Sequence, residues 1–577
     1  MSEQRNLVVA IGLSLAILIG FNFFYEKPKY AEAIHHAEIA KNTSLNSAIT
    51  ADKDSGPAFE VSKVVDRSQA LSTESRIIIQ TPKLHGSINL KGARLDDITL
   101  AEYHETTDPK SSEIMLLSPQ NTKGAYFADF GWQGQGKLPD ANTVWKVKGD
   151  ANITAVTLTC EHPVTLTFDN GAGLRFERTF SVDENYLFTI NDKVVNSGHE
   201  EIKLQPYGRI TRVGTPQTSG YYILHEGAIG VVQDRLKEFD YSKLIKEKEV
   251  IQTSTGGWVG FTDKYWLVAL VSDQSLSVQT RFSGTEAEMY RAEINNGEHV
   301  LKPGASLDYK QYLFSGAKVL RLLDAYEEKQ GFKRFDLAVD FGWFYFVTKP
   351  LFYVLEFLHQ LLGNLGVAIL VLTVFVKILF YPLANKSFNS MARMKIMQPQ
   401  MEKIKQKYAN DKMRMNQELM ELYKREKINP MSGCLPMLIQ APIFFCLYKV
   451  FFVTIEMRHA PFFGWIHDLS APDPTSFFNL FGLLPWDAPS FLTIGALPLL
   501  MGATMILQQR LNPQPVDATQ AKIMLIMPLM FTYLFASFPA GLVIYWAWSN
   551  ILSIAQQMLI THRASSTAPV KTKAKKR

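Results

Sequence analysis

Apolar residues are concentrated at the start of the chain and in its last third. Leu7 to Phe24 is apolar apart from Ser14 and Asn22, which is long enough to span a bilayer. We expect an uncleaved anchor over residues 1–26, because the YEKPKYAEA that follows lacks a small-residue cleavage site close to the apolar run. Residues 27–70 are polar and without period, which indicates a flexible linker.

Residues 71–335 show a different pattern, with short runs of β-branched and aromatic residues. SRIIIQT, TVWKVKG, AVTLTC, VTLTFDNGAGLRFERTFSV and YWLVALVS are separated by turn signals such as Asp169-Asn170-Gly171, and they predict an antiparallel β-sandwich. Its six histidines are scattered, with neither a glycine-rich phosphate loop nor a nucleophile elbow. We expect a folded module without catalysis, and binding of a carbohydrate or peptide in a cleft stays an alternative.

Beyond residue 335 the apolar runs lengthen to helical size. Residues 336–363 carry Asp340, Lys349 and Glu356 in an apolar stretch, which predicts an amphipathic interfacial helix. Residues 364–562 form the predicted core, with five spans near Leu365 to Leu383, Cys434 to Ile455, Phe491 to Leu507, Ile523 to Phe538 and Ala540 to Ile560. With the anchor, the pattern predicts a polytopic α-helical membrane protein of six transmembrane helices carrying a large β-sandwich.

Charge orients this arrangement. Residues 385–432 hold 11 Lys and Arg against 5 acidic residues, whereas residues 457–490 hold only Arg458 against Asp468, Asp473 and Asp487. By the positive-inside rule the first loop is cytoplasmic and the second lies outside. Both termini, including the basic tail 563–577, are then cytoplasmic, and the sandwich is periplasmic in a bacterial inner membrane.

The three cysteines, Cys160, Cys434 and Cys446, make a disulfide framework or a zinc site improbable. We expect no metal site and no cofactor.

Lys377 stands within the apolar run VLTVFVKILFYPL. Eight residues from Asn385, it lies about 12 Å below the predicted cytoplasmic edge. A buried lysine costs about 2.5 to 3.5 kcal/mol on insertion scales, which favours a wet interior cavity over lipid. Snorkelling is the alternative, but side chains lean toward the helix N-terminus, here away from the cytoplasm.

Further polar residues fall at helical spacing around this lysine. Thr373, Lys377 and Tyr381 predict one polar stripe, and Gln440 lies at the same depth in the next span. The last span adds Trp546, Ser549, Ser553 and Gln556 on one face. Singly, these residues are typical of helix packing, and together they indicate a water-containing pocket.

The spacing of apolar residues over 385–430 predicts a cytoplasmic helical hairpin that turns at Ala409-Asn410-Asp411. It is rich in methionine, and flexible thioethers suit a surface that meets many apolar partners, although packing between the two helices is an equal alternative. The residues predicted to contact a client or the ribosome are Met397, Met401, Met415, Lys403, Lys407 and Arg414.

KILFYPL, MARMKIMQPQMEKIKQKY, NPMSGCLPMLIQAPIFFCLY, FFGWIHDLSAPDP and FPAGLVIYW resemble the YidC membrane-protein insertases of Gram-negative bacteria. The resemblance implies a non-enzymatic insertase with a hydrophilic groove that holds one positive charge, open to cytoplasm and lipid. That charge falls on Lys377, where the family usually has arginine, so the bidentate fork is lost and the amine is able to lose its proton. Thr373, Gln440, Tyr545 and Trp546 match groove or last-span positions.

The function expected from these features is insertion and folding of nascent inner-membrane proteins, alone or with the Sec translocon and its accessory subunits. A wet, positive groove would lower the barrier to moving a short polar segment and attract acidic residues. The ribosome is a further expected partner, through the hairpin and the basic tail, together with the lipid bilayer. A secondary transporter with a buried lysine site is the rival, although the paired repeats of such proteins are not visible. A periplasmic ligand receptor is the second rival.

Overall fold

The computed structural model describes residues 64–149, 156–219, 224–426, 435–484, 489, 493–512 and 518–566. The predicted anchor, most of the predicted linker, Cys434 and most of the basic tail lie outside the described residues. The chain divides into two compact units with the boundary between Asp340 and Phe341, apart from residues 453–455, which group with the first unit.

The first unit is built almost entirely of strands. They are β1 Arg76–Gln80, β2 Leu84–Asn89, β3 Arg94–His104, β4 Glu113–Leu117, β5 Tyr126–Gly134, β6 Lys146–Val147, β7 Thr157–Leu158, β8 Val164–Asp169, β9 Leu174–Val182, β10 Leu187–Asn196, β11 Ile202–Val213, β12 Gly227–Val232, β13 Arg235–Phe239, β14 Glu249–Thr255, β15 Trp258–Thr262, β16 Trp266–Val271, β17 Ser277–Gly284, β18 Met289–Asn295, β19 His299–Leu301 and β20 Ser306–Ala317. Short helices flank them at α1 Arg67–Thr73, α2 Tyr241–Glu247 and α3 Leu320–Gln330, with a 3₁₀ turn at Phe335–Ala338.

Two mainly antiparallel sheets form the predicted sandwich. One has the order β14-β17-β18-β11-β5-β3-β2-β1-β7, with β19 beside β11 and β4 beside β3, and the other runs β13-β12-β15-β16-β20-β10-β9-β8-β6. Close packing between them leaves no room for a side chain at Gly208, where a Cβ would lie 2.7 Å from Gln311 Oε1. Arg178 and Asp192, both fully buried, pair across β9 and β10 with Nε 2.6 Å from Oδ1.

The turn predicted at Asp169-Asn170-Gly171 is confirmed. It joins β8 to β9, and the Asn170 side chain accepts hydrogen bonds from the backbone N–H groups of Ala172 and Leu174 at 2.8 and 3.0 Å. Two other predicted strand runs are much shorter than expected: β6 and β7 have two residues each. Both lie at a sheet edge, where pairing on one side gives a strand less support.

The second unit is helical. Its helices are α4 Tyr345–Leu362, α5 Leu365–Leu379, α6 Tyr381–Lys407, α7 Lys412–Arg425, α8 Leu435–Val453, α9 Ala496–Leu511, α10 Ala518–Phe535 and α11 Ala540–Ser566. Short 3₁₀ segments occur at Ile455–Met457 and Phe477–Gly482. The helix expected from residue 336 starts only at Tyr345, because Gly342 has a left-handed φ of +68° that a right-handed helix cannot contain.

The span predicted to reach Leu383 instead ends at Leu379, and α6 leaves it at an angle of 69°. Pro382, in the first turn of α6, has no N–H to donate to the preceding turn, which explains the break. The first helix of the predicted hairpin therefore begins at Tyr381. The turn predicted at Ala409-Asn410-Asp411 is confirmed, since α6 ends at Lys407 and α7 begins at Lys412.

Among the described residues, no individual helix combines the length and apolar composition of a bilayer span. The bent pair α5 and α6 meets both conditions together, and Gln440–Val453 and Ala521–Phe535 are shorter apolar helices. Within the unit, α11 packs against α5, α6 and α9, and α9 also packs against α10.

Candidate functional site

Lys377 is the centre of a polar network inside the helical unit. It lies near the end of α5, whose neighbouring side chains Phe375, Ile378 and Leu379 are exposed and apolar. Its amine donates hydrogen bonds to Ser553 Oγ at 2.8 Å and to Gln440 Oε1 at 3.2 Å. The lysine therefore turns away from the exposed apolar face of its own helix and toward α8 and α11.

Gln440 extends this network from α8 to a second residue of α11. Its side-chain N–H donates to the hydroxyl of Tyr545, which is 1% exposed. The Tyr545 ring also packs edge-on against Phe451, with centroids 6.2 Å apart. Gln440 thus bridges a lysine and a tyrosine, using its acceptor for one and its donor for the other.

The partners of the Lys377 amine are neutral. No salt bridge between described residues includes it, and the two atoms that accept its hydrogen bonds belong to a hydroxyl and an amide. A charged donor makes stronger hydrogen bonds than a neutral one, but these two do not cancel its charge. The site can therefore offer positive charge to an incoming acidic group.

The structure separates the predicted polar stripe on the first core span. Thr373 is 1% exposed, and its hydroxyl donates to the carbonyl of Ile369 at 2.7 Å within its own helix. Tyr381 is 44% exposed and belongs to α6, beyond the break. The expectation that Thr373, Lys377 and Tyr381 share one continuous helix face is wrong, because the helix ends between the second and third of them.

The residues of the predicted face of the last helix have different neighbours. Ser549 and Ser553 are both buried, and Ser553 contacts Lys377. Trp546 belongs to an aromatic cluster with Phe444 and Phe535, whose ring centroids lie 4.6 and 4.9 Å from its own. Gln556 is partly buried, and its Nε2 has no hydrogen-bond partner among the residues that the structure describes.

Three polar contacts between helices were missed by the sequence analysis. Trp548 Nε1 donates to the carbonyl of Leu370 at 3.2 Å and links α11 to α5. The pairs Asn550 with Thr504 and Gln557 with Asn512, both at 3.1 Å, link α11 to α9 and to the residue that follows it. Asn550 and Gln557 are seven residues apart in an apolar helix, a spacing that could have identified this second polar face.

The methionines of the hairpin divide between its interior and its surface. Met397 and Met401 are buried with Leu419 and Leu422, and Met415 packs against this cluster. Met413 and Met420, by contrast, are 75% and 50% exposed. For Met397 and Met401, which belong to α6, the structure fits the packing alternative. The thioethers that a partner could reach are those of Met413 and Met420 on α7.

The predicted basic contacts of the hairpin are on its surface. Lys403, Lys407 and Arg414 are exposed, and the last two lie over the ring of Tyr408 at 5.1 and 5.6 Å. At its base the hairpin is fixed to the rest of the unit: Phe388 and Met391 pack against Ile560 of α11.

The loop between α8 and α9 holds the ends of three helices. Asp473 Oδ2 accepts from Leu497 N at 2.8 Å in the first turn of α9. The carbonyls of Leu469 and Ala471 accept from Gly541 and Ala540 at the start of α11. Asn364, the N-cap of α5, donates from its side chain to the carbonyl of Phe462 at 3.4 Å. The contacts at α9 and α11 satisfy helix-end N–H groups that no intrahelical carbonyl can reach, and the contact of Asn364 ties the N-cap residue of α5 to the loop.

One acidic group among the described residues has the spacing of metal ligands. A carboxylate oxygen from each of Asp324, Glu327 and Asp336 lies within 4.8 Å of the others. All three residues have other interaction partners, and all belong to the first unit.

Comparison with known proteins places both units in one family. The 60Kd inner membrane protein family matches residues 357–567, and the YidC periplasmic domain family matches residues 76–354. The membrane protein insertase YidC of Methylobacterium sp. (strain 4-46) is 47% identical, with 97% of this chain and 96% of the relative aligned. That of Brucella suis biovar 1 (strain 1330) is 49% identical over 98% and 96%. A crystal structure of an active YidC insertase with its first transmembrane domain resolved matches with a TM-score of 0.36 and 20% identity over 84% of this chain and 92% of that one.

Proposed function

The chain belongs to the YidC family of membrane protein insertases, and from that premise we propose that it moves its clients through a hydrated, positively charged groove centred on Lys377. It is an inner-membrane insertase with a periplasmic β-sandwich domain. The groove and the residues that line it are our proposal. The observation that carries it is the contact of the Lys377 amine with Gln440 and Ser553 on two other helices.

The proposed groove lowers the free-energy cost of removing a polar peptide segment from water. A nascent membrane protein must bring a short polar segment out of water before the adjacent apolar helix can settle in lipid. Each unsatisfied backbone polar group costs several kcal/mol in hydrocarbon. A wet, polar pocket partway across the bilayer divides this cost into smaller steps, and the apolar helix then moves sideways into lipid by hydrophobic transfer.

Each residue of the network has a distinct part in this process. Lys377 supplies the positive charge, which attracts acidic residues in the polar segment of the client. Ser553 and Gln440 hold the amine at a fixed position without neutralising it. Tyr545 fixes the amide of Gln440 in turn, so that its oxygen stays toward the lysine.

The orientation that we propose follows the charge of the loops. The basic hairpin of α6 and α7 lies in the cytoplasm together with both termini, and the loop between α8 and α9 lies in the periplasm. Six membrane-spanning segments, the N-terminal anchor and five in the helical core, complete the arrangement. The groove opens to the cytoplasm and to lipid, and it ends at the periplasmic loop, whose contacts with α5, α9 and α11 support a closed side.

Partners beyond the client and the bilayer belong to the same proposal. The exposed side chains of Lys403, Lys407 and Arg414 on the hairpin could contact ribosomal RNA through its phosphates. The basic tail over residues 563–577 could add to this contact. Cooperation with the Sec translocon would extend the range of clients that the groove receives.

Site-specific photo-crosslinking to a ribosome-stalled nascent chain tests the client path. A photoreactive residue at Gln440, Thr373 or Trp546 should crosslink to the polar segment of the client, and one at Leu525, an exposed apolar residue of α10, serves as the control. Crosslinks only from Leu525, or from none of the three groove positions, would reject the proposed path.

A further inference from the structure

An exposed apolar turn projects from the loop between α8 and α9. It comprises Phe477–Leu484, of sequence FFNLFGLL, and contains no charged residue. Six of its side chains are between 38% and 82% exposed: Phe477, Phe478, Leu480, Phe481, Leu483 and Leu484. Contiguous exposed apolar surface of this kind is typical of an interaction site.

The apolar turn is held in a defined conformation by its own backbone. Phe481 N donates to the carbonyl of Ser476 at 2.8 Å, and Leu484 N to that of Asn479 at 3.0 Å. Leu480 and Phe481 adopt left-handed φ angles of +50° and +57°, which bulky residues rarely do. Local strain of this kind persists where surrounding contacts fix it, so the exposure of these side chains is built into the fold.

Backbone contacts also fix the position of the apolar turn relative to the start of α9. Phe477 N donates to the carbonyl of Ile494, just before α9. Two neighbouring residues in the loop hold the first N–H groups of that helix: Thr475 Oγ1 accepts from Ala496 N at 2.9 Å, and Asp473 accepts from Leu497 N. The apolar turn therefore lies beside the first turn of α9, at one end of that helix.

We propose that the apolar turn inserts into the bilayer leaflet at that end of the helical core. The helix that it adjoins, α9, also exposes apolar side chains at Leu500, Ile506 and Leu507, and in an inner-membrane protein such side chains face lipid. A lipid surface accepts unpaired apolar side chains without requiring polar partners, whereas a protein interface normally has a polar rim. The turn thus anchors in lipid the loop that holds α5, α9 and α11.

This inference rests on the membrane location of the family and not on the groove. Under the proposed orientation the leaflet is the periplasmic one. The two proposals can therefore fail separately.

Collisional quenching of a spin label tests the inference on the full-length protein. Cys160, Cys434 and Cys446 are replaced by serine, and a single cysteine is introduced as Leu483→Cys or Phe481→Cys. His467→Cys, at an exposed site in the same loop, is the aqueous control, and Leu500→Cys is the lipid-facing control. Each variant is labelled with a nitroxide and reconstituted into vesicles of phosphatidylethanolamine and phosphatidylglycerol.

We expect the ratio of oxygen to nickel-chelate collisions at Leu483 and Phe481 to match that at Leu500 and to exceed that at His467 several-fold. A ratio equal to that of His467 would place the apolar turn in water and overturn the inference. Low collision rates with both reagents would mean that protein covers it, either another segment or a second copy, and would also overturn the inference. Client insertion by the same labelled variants is measured in parallel and reports separately on the groove and on correct folding.

Discussion

The Nζ atom of Lys377 lies 2.8 Å from the hydroxyl oxygen of Ser553, although 176 residues separate the two in the chain. The contact joins α5 to α11, and Gln440 of α8 completes the set of partners. The amine is thereby held between helices by neutral groups, and we propose that its charge stays available to a client. The predictions for the helical core depend on this arrangement.

Replacement of Lys377 should separate the need for charge from the need for packing. Lys377→Ala should lower the insertion rate of a small membrane protein with an acidic translocated segment by about tenfold to a hundredfold, the equivalent of one hydrogen bond to a charged group. Lys377→Arg should retain most of the activity, because the charge is kept. Insertion into inverted membrane vesicles, followed by protease protection, measures both. Unchanged insertion by the alanine variant would reject the role of the charge.

Ser553 should act only through Lys377. Ser553→Ala removes one of the two acceptors of the amine and should slow insertion a few-fold, since the lysine is then less firmly positioned. In a Lys377→Ala background the same substitution should have no further effect. A double-mutant cycle on the insertion rate measures this coupling. Independent, additive losses would show that Ser553 contributes to packing alone.

The hairpin methionines should divide into structural and exposed classes. Met401→Ala opens a cavity beside Leu419 and Leu422 and should destabilise the hairpin by about 2 to 5 kcal/mol. Met413→Ala, at a 75% exposed site, should change its stability by less than about 0.5 kcal/mol. Hydrogen exchange of α7 in lipid nanodiscs compares the two. Equal protection in both variants would contradict the packing of Met401 within the hairpin.

Sequence reasoning brought together the two central residues of the proposed site, because depth in a membrane can be counted along a helix. Equal distances from the cytoplasmic ends of two spans predicted that Lys377 and Gln440 lie at one level, and the structure joins them. The same counting failed at Tyr381, because a periodic pattern does not register the helix break that Pro382 causes. Nor could the spacing show that the ring of Trp546 packs against Phe444 and Phe535.

In the sandwich, runs of β-branched and aromatic residues identified the long strands, but they did not predict how short the strands at the sheet edges are. The Asp169-Asn170-Gly171 turn was predictable since its side-chain hydrogen bonds are local. The two-residue strands β6 and β7 were not, because their length depends on which neighbours they pair with. For Met397 and Met401, composition alone could not distinguish an exposed surface that binds apolar partners from the packed interior of a hairpin. The structure decides between them, because Leu419 and Leu422 of α7 pack in one cluster with both methionines.

The periplasmic domain should lose stability on acidification partly through Glu113. Burial by itself would raise the pKa of this carboxyl group, but hydrogen bonds from the Thr99 hydroxyl at 2.5 Å and the His85 imidazole at 2.9 Å hold the pKa below its usual value. The unfolded state then binds more protons than the folded one, so this stabilisation is present above the unfolded pKa and is lost as the pH falls through the lower, folded pKa.

Thr99→Val should therefore raise the pKa of Glu113 and lower the free energy of unfolding most at neutral pH, with a smaller difference from wild type in acid. Urea unfolding of residues 64–340 at several pH values between about 3 and 7 measures this dependence. Thr107→Val, at an exposed position, is the control and should not alter the pH dependence. If Thr99→Val lowered the free energy of unfolding by the same amount at every pH, the hydroxyl would not act through Glu113.

Water access to position 377 tests the central claim most directly. In full-length protein without its native cysteines, Lys377→Cys and the neighbouring Ile378→Cys, whose native side chain is 63% exposed on the apolar face of α5, are exposed to a charged, membrane-impermeant thiol reagent from the cytoplasmic side. We expect position 377 to react at least about tenfold faster than position 378, because the reagent needs water to reach a thiolate. Equal, slow reaction at both positions would place Lys377 against lipid and contradict the groove.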